Sequence, residues 1–208
     1  MLIMLLLHCI CIMYTLYDVR KETFMKYCTH VYCGTGKGKT TAAIGLAVRA
    51  AGAGCRVLFC QFLKSNITSE LSVLETLPQV TILRPEGRYP FTKRMTAEER
   101  LAITGEHNRI LDRIAAILCQ DSPAHSDTDD PGSLPMLVIL DELAWAYHYE
   151  LIDREQVLTL LDTKRAEFVI TGRVRVPELI ERADYVTNLQ EEKHPFRNGI
   201  PARKGIEF

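Results

Sequence analysis

Residues 29–52 read THVYCGTGKGKTTAAIGLAVRAAG, and the fold follows from this stretch. Thr29 to Cys33 is a short β-branched and aromatic run, which predicts a strand. Gly34, Gly36 and Gly38 follow at once, and the Ala-rich apolar spacing after them predicts a helix ending at Gly52. A glycine-rich turn between strand and helix is the setting of a phosphate-binding loop. Glycines let the backbone curl so that successive amides point into one concavity, and the helix N-terminus adds partial positive charge. Within Gly34-Thr35-Gly36-Lys37-Gly38-Lys39-Thr40-Thr41, Lys39 is placed to bridge terminal phosphate oxygens and Thr40 to offer a hydroxyl to Mg²⁺. The strict pattern begins with glycine where this chain has Cys33, so a plain glycine-rich turn is the alternative.

Outward from the loop, apolar strands alternate with helices. Cys55 to Phe62, Val80 to Leu83, Met136 to Leu140, Glu167 to Ile170 and Tyr185 to Leu189 read as strands. Near-continuous apolar strands of this kind predict a mostly parallel sheet with helices on both faces. Thr96-Ala-Glu-Glu99 is a capping box, with apolar periodicity running on to Leu118. Asp153 and Gln156 start a helix to Leu161, and Pro177 opens a short one to Arg182. Gln120 to Pro135 has the Ser, Asp, Pro and Gly content of a solvated loop, without the ligand spacing of a calcium loop.

Asp141-Glu142 closes the strand of Met136 to Leu140, so both carboxylates should emerge at the carboxyl edge of the sheet, beside the phosphate loop. One can belong to a magnesium shell while the other positions a reacting group, and a simple helix cap is the alternative. Arg173, after Thr171-Gly172, is expected at the same edge, where its fork of donors suits phosphate; a surface ion pair is the competing reading. Arg49 on the helix after the loop carries a similar expectation. Lys193-His194 is a weaker one, since a lone histidine is most often structural or exposed.

The chain has 208 residues, 47% of them hydrophobic and 25% charged, and predicts one compact domain with a real core. With 25 Lys+Arg against 26 Asp+Glu there is no bulk field for nucleic acid or an anionic membrane, so phosphate binding must be local. Seven cysteines without paired CxxC spacing indicate free thiols in a reducing, cytoplasmic compartment rather than a zinc or iron–sulfur site. The first residues, MLIMLLLHCICIMYTLY, carry no early Lys or Arg and no small-residue cleavage site, and fall short of the ~20 residues of a membrane span. Met25 offers a second start. Residues 1–24 are therefore read as an apolar extension added upstream of a domain at 25–208, with an extra packed helix as the next reading and a membrane anchor last.

These residues predict a Mg²⁺-nucleoside-triphosphate site without saying which bond of the nucleotide breaks. Taken with VLFCQFLK, LVILDELAWAYHYELID, FVITGR, ELIERADYVTNL and the tail KHPFRNGIPARKGIEF, the chain from Val31 onward resembles the ATP:corrinoid adenosyltransferase family. The GKGKTTAA loop paired with the KHPF tail carries the resemblance most specifically. The resemblance implies a RecA-like phosphate-loop fold and ATP lying reversed across the loop. It also implies attack by a cob(I) corrinoid on the ribose C5′, with triphosphate leaving, in adenosylcobalamin synthesis or salvage. Carried over, Gly34 to Thr41 would hold the triphosphate, Lys39 and Glu142 would act in catalysis, and Thr40, Asp141 and Glu142 would hold Mg²⁺. Arg49 and Arg173 would meet nucleotide oxygens, and Phe91 the corrinoid. A homodimer and a reductase or flavodoxin-like electron donor are implied as partners. Phe91-Thr92 is followed by Lys93 where the family pattern has Trp, which bears on the choice of corrinoid. A phosphate-loop ATPase or kinase transferring the γ-phosphoryl group, and a non-catalytic nucleotide sensor, are the alternatives.

Overall fold

The structure is a computed structural model that describes residues 27–64, 68–90, 92–120 and 136–207. The extension at 1–24, the acidic segment beyond Gln120 and Phe91 lie outside the described residues, as does the Lys93 side chain.

Six strands form one sheet: β1 (Thr29–Cys33), β2 (Val57–Gln61), β3 (Val80–Leu83), β4 (Leu137–Asp141), β5 (Glu167–Thr171) and β6 (Tyr185–Asn188). Their order is β3-β2-β4-β5-β1-β6, and every pairing is parallel. The helices are α1 (Lys39–Gly52), α2 (Ser69–Leu74), α3 (Ala97–Gln120), α4 (Leu143–His148), α5 (Arg154–Asp162) and α6 (Pro177–Glu181). Parallel strands need crossover connections, and these helices supply them.

Alternation along β4 shows how the sheet is sandwiched. Leu137 and Ile139 pack with Ala43, Ala47 and Ala51 of α1, whereas Val138 and Leu140 pack with Ile110, Leu111, Ile114 and Leu118 of α3. Alanines at four-residue spacing put a thin stripe of α1 against the sheet, so the helix lies close. A leucine at Ala47, which is fully buried, would push α1 outward and drag the loop at its start. On the opposite face, α3 presents Ile103, His107, Ile110, Leu111, Ile114 and Leu118 at helical spacing. Each fully buried Leu, Ile or Phe in these layers contributes about 1.5–3 kcal/mol.

The sequence-derived elements match with small shifts of bounds. β1 and β3 fall where expected, while β2 is shorter than Cys55–Phe62 and β4 runs one residue further, to Asp141. The capping box forms reciprocally: the Thr96 N–H donates to Glu99 Oε2 at 2.8 Å, and the Glu99 N–H to Thr96 Oγ1 at 3.2 Å. Asp153 accepts from the Gln156 N–H at 2.9 Å and caps α5. Two short helices, α2 and α4, have no counterpart in the sequence reading, since six residues are too few for a periodic signal. β6 is one of the two sheet edges, and it differs from the other strands in that all four of its residues are exposed. Among the described residues, Cys28, Cys33, Cys55, Cys60 and Cys119 are thiols outside any disulfide, and burial pushes the Cys60 thiol up. No helix among the described residues is long and apolar enough to cross a membrane.

Candidate active site at the carboxyl edge of the sheet

The register brings the strand ends level: Gln61 stands opposite Asp141, and Leu140 opposite Ile170 one step before Thr171. β1 runs beside β5, so the loop at 34–38 emerges next to Thr171 and one strand from Asp141.

Gly38 adopts φ 112°, a left-handed conformation that favours glycine, and caps α1 through its backbone alone. No side chain caps α1, so its first amides are left for an incoming anion. Gly34 and Gly36 are glycine for a further reason that the sequence did not show. A Cβ on Gly34 would stand 2.3 Å from the Leu189 carbonyl oxygen, and one on Gly36 would stand 2.7 Å from that of Gln190. The segment after β6 lies on the loop, with the Gly36 N–H donating to the Leu189 oxygen at 2.8 Å.

Lys39 curls over its own loop, its Nζ donating to the carbonyls of Gly34 and Gly36 at 2.7 Å each. Burial pulls this amine below its ordinary value; the Glu142 carboxylate opposes the shift and Arg173 reinforces it. Asp141, fully buried, gathers three donors. Thr40 Oγ1 and Thr171 Oγ1 each donate to its Oδ1 at 2.7 Å, and Lys64 Nζ lies 2.6 Å from its Oδ2. The Glu142 N–H donates to Thr171 Oγ1 at 2.9 Å, so one hydroxyl joins both residues of the acidic pair. Glu142 has φ 62°, a left-handed conformation at a non-glycine residue, held at the junction of β4 and α4. Burial and then Asp141 push its carboxyl up, opposed by Lys64, Arg173 and Lys39. Arg173 is exposed but acts electrostatically on both Lys39 and Glu142. Gly172, just before it, has no room for a side chain: a Cβ there would stand 2.6 Å from the Ala144 Cβ.

The structure thus brings together Gly34 to Thr41, Asp141, Glu142 and Arg173. Arg49 stands apart, exposed in the last turn of α1 and about 15 Å along the helix from Lys39. His194 takes a local role, its Nδ1 accepting from the Phe196 N–H at 3.2 Å to cap the turn Pro195–Asn198. A cavity of about 390 Å³ lies between the loop and the tail, lined by Lys37, Lys193, His194, Arg203 and three glutamates that include Glu207.

Three site residues escaped the sequence reading. Lys64 and Gln61 sit at the end of β2, and Thr171 at the end of β5. The available signal was their place at the carboxyl ends of apolar strands, the same argument that selected Asp141. Gln61 is fully buried, and neither atom of its side-chain amide has a partner among the described residues. The oxygens of Thr40, Asp141 and Glu142 form a hard donor set of the kind Mg²⁺ takes when phosphates and waters complete its shell. Among the described residues there is no cluster of three or more His, Cys, Asp or Glu that would enclose a metal without such help.

Comparison with solved structures supports the fold. The cytoplasmic domain of EssC superposes with a TM-score of 0.50 at 16% identity, covering 86% of this chain and 34% of that one. The cytoplasmic domain of the type VII secretion ATPase EccC of Thermomonospora curvata gives 0.50 at 15%, covering 77% and 20%. The architecture is a RecA-like phosphate-loop NTPase fold. Sequence similarity is closer to another group. A corrinoid adenosyltransferase of Pseudomonas aeruginosa is 34% identical over 181 residues, covering 86% of this chain and 82% of that protein. Those of Escherichia coli K12 and Salmonella typhimurium are 32% and 31% identical over 184 residues, each covering 86% of this chain and 84% of that protein. Residues 25–208 match the family described as ATP:corrinoid adenosyltransferase BtuR/CobO/CobP, and the chain belongs to that family.

Proposed function

We propose that this edge of the sheet binds Mg-ATP and a cob(I) corrinoid and transfers the 5′-deoxyadenosyl group from ATP to cobalt, with triphosphate as the leaving group. The observation that carries the nucleotide half is the loop itself: uncapped amides at the start of α1, Lys39 folded over the concavity, and Thr40 bonded to Asp141. Family membership carries the corrinoid half.

In this reading the loop amides and Lys39 neutralise the triphosphate as charge accumulates on it, which is where a reaction expelling a polyanion needs help. Lys39 gives up its bonds to Gly34 and Gly36 for phosphate oxygens. Arg173 adds positive charge at the same edge, and Arg49 joins only if the nucleotide extends toward the far end of α1. Thr40, Asp141 and Glu142 hold Mg²⁺, which supplies charge neutralisation and geometry for the phosphates when bound. Gln61, with a buried and unpartnered amide, is suited to hydrogen-bond a substrate group or a metal-bound water. Phe91 would pack on the corrinoid. A homodimer fits the exposed apolar side chains Tyr185 and Val186 of the edge strand. A cytoplasmic location and a reductase or flavodoxin-like electron donor supplying cob(I) complete the reading.

Phosphorus products test it. Under anaerobic conditions with Mg-ATP and a chemically reduced corrinoid, inorganic triphosphate should accumulate in step with corrinoid consumed. ADP that forms regardless of corrinoid would replace this reading with γ-phosphoryl transfer.

A further inference from the structure

Lys64 contacts Asp141 from the segment just past β2, and a lysine's rotamer entropy must be overcome to hold it there. The backbone before it is unusual. Leu63 has φ 57°, a left-handed conformation that is unfavourable for any residue with a Cβ. This reversal lets Phe62 enter the core, fully buried, while Lys64 turns onto the sheet edge.

Two side chains hold the reversal: Arg84 donates to the Lys64 carbonyl at 3.3 Å, and His107 binds the residue before it. The Leu63 N–H donates to Nε2 of His107, at 3.2 Å, and Nδ1 of the same ring lies 2.7 Å from the Leu151 carbonyl oxygen. A carbonyl only accepts, so Nδ1 carries the proton and Nε2 is the bare acceptor that the amide needs. Both bonds exist only for the neutral ring in this one tautomer. Burial favours that form, holding the imidazole down at about 4. The Phe62 ring packs edge-on at 5.2 Å and fixes the ring plane. A buried histidine that merely filled space on α3 would require neither contact.

We propose that His107 is a positioning residue for Lys64: it holds Leu63 in the left-handed conformation and so sets the Lys64 amine on Asp141. The consequence for Mg-ATP rests on the functional reading above, whereas the effect on Lys64 does not.

The test uses the full chain. Trace acetylation with acetic anhydride, read by peptide mass spectrometry, reports how accessible the Lys64 amine is, with Lys37, about half exposed, as internal reference. His107→Leu fills the space without the two bonds, and Lys64 labelling should rise about fivefold, equivalent to losing a ~1 kcal/mol coupling. His107→Gln can still donate and accept, and should hold labelling within about twofold of wild type. If His107→Leu does not fold, His107→Asn, whose amide is one methylene too short to span both partners, takes its place in the comparison. Mg-ATP affinity should fall in the unbonded variant and be restored in His107→Gln. In a Lys64→Met background the loss should disappear. Wild-type labelling in a folded His107→Leu or His107→Asn variant would overturn the proposal, as would an affinity loss that persists without Lys64. Should the wild type bind no Mg-ATP, the functional reading fails while the labelling contrast still decides this one.

Discussion

The phosphate loop has two flanks built on different physics. The inner flank faces β4 and β5, where Thr40, Thr171 and Lys64 converge on a fully buried carboxylate. The outer flank faces the tail, where the half-exposed Lys37 and Arg203 each lie 3.0 Å from the partly exposed Glu207 carboxylate. Buried charges must be fully partnered because desolvation costs several kcal/mol per ion, so the inner arrangement holds one geometry. Exposed ion pairs are screened and contribute little. The inner flank is therefore preorganised for charge that develops during reaction, while the outer flank can rearrange around a substrate.

Removing the charge folded over the loop itself, between the two flanks, should have the largest effect. Lys39→Ala should lower turnover by about 10²–10³-fold or more, the scale of losing one preorganised donor, with the unfolding midpoint close to wild type. Steady-state kinetics beside a urea melt would check both halves. Asp141→Ala leaves the Lys64 amine and two hydroxyls without their shared acceptor, so stability should fall by about 3–5 kcal/mol in urea denaturation. Asp141→Asn, which keeps acceptors for the hydroxyls, should lose less.

A pH titration of stability sharpens the same contrast. His107 titrates near 6.5 when unfolded and at about 4 when folded, so between these values the unfolded chain binds the extra proton. Its contribution is complete above pH 6.5 and is lost as pH falls toward 4, by at most about 3 kcal/mol. Glu142, whose carboxyl is pushed up, works with the opposite sign. Subtracting the curve of His107→Gln isolates the histidine, because Glu142 is common to both proteins. The smallest effect belongs to the outer flank. Glu207→Gln releases Lys37 and Arg203, yet the melting temperature should stay within error and the Mg-ATP dissociation constant should change no more than about twofold. A large destabilisation there would show that the tail carries more of the loop's structure than exposed ion pairs can.

Much of the inner flank was legible because its signals are local. A strand, three glycines and GKTT occupy thirteen consecutive residues, and Asp141-Glu142 announces itself by ending an apolar run. What stayed hidden depends on register and on distant packing. Thr171 is thirty residues from Asp141, and only the parallel pairing of β4 with β5 joins them. Lys64 is placed through Leu63 and His107, forty-four residues apart, and no spacing rule in one sequence links those positions. The close approach of Leu189 to Gly34 likewise gives a glycine a second reason that the loop pattern alone cannot supply.

In the proposed reaction the bond broken lies between C5′ and the triphosphate. ATP carrying ¹³C at C5′, incubated anaerobically with the protein, Mg²⁺ and a cob(I) corrinoid, makes that bond directly visible by carbon NMR. The labelled carbon should leave the nucleotide and appear bonded to cobalt in a light-sensitive product, with inorganic triphosphate in equal amount. Label that remains on an intact adenosine phosphate, with the corrinoid unaltered, would contradict it.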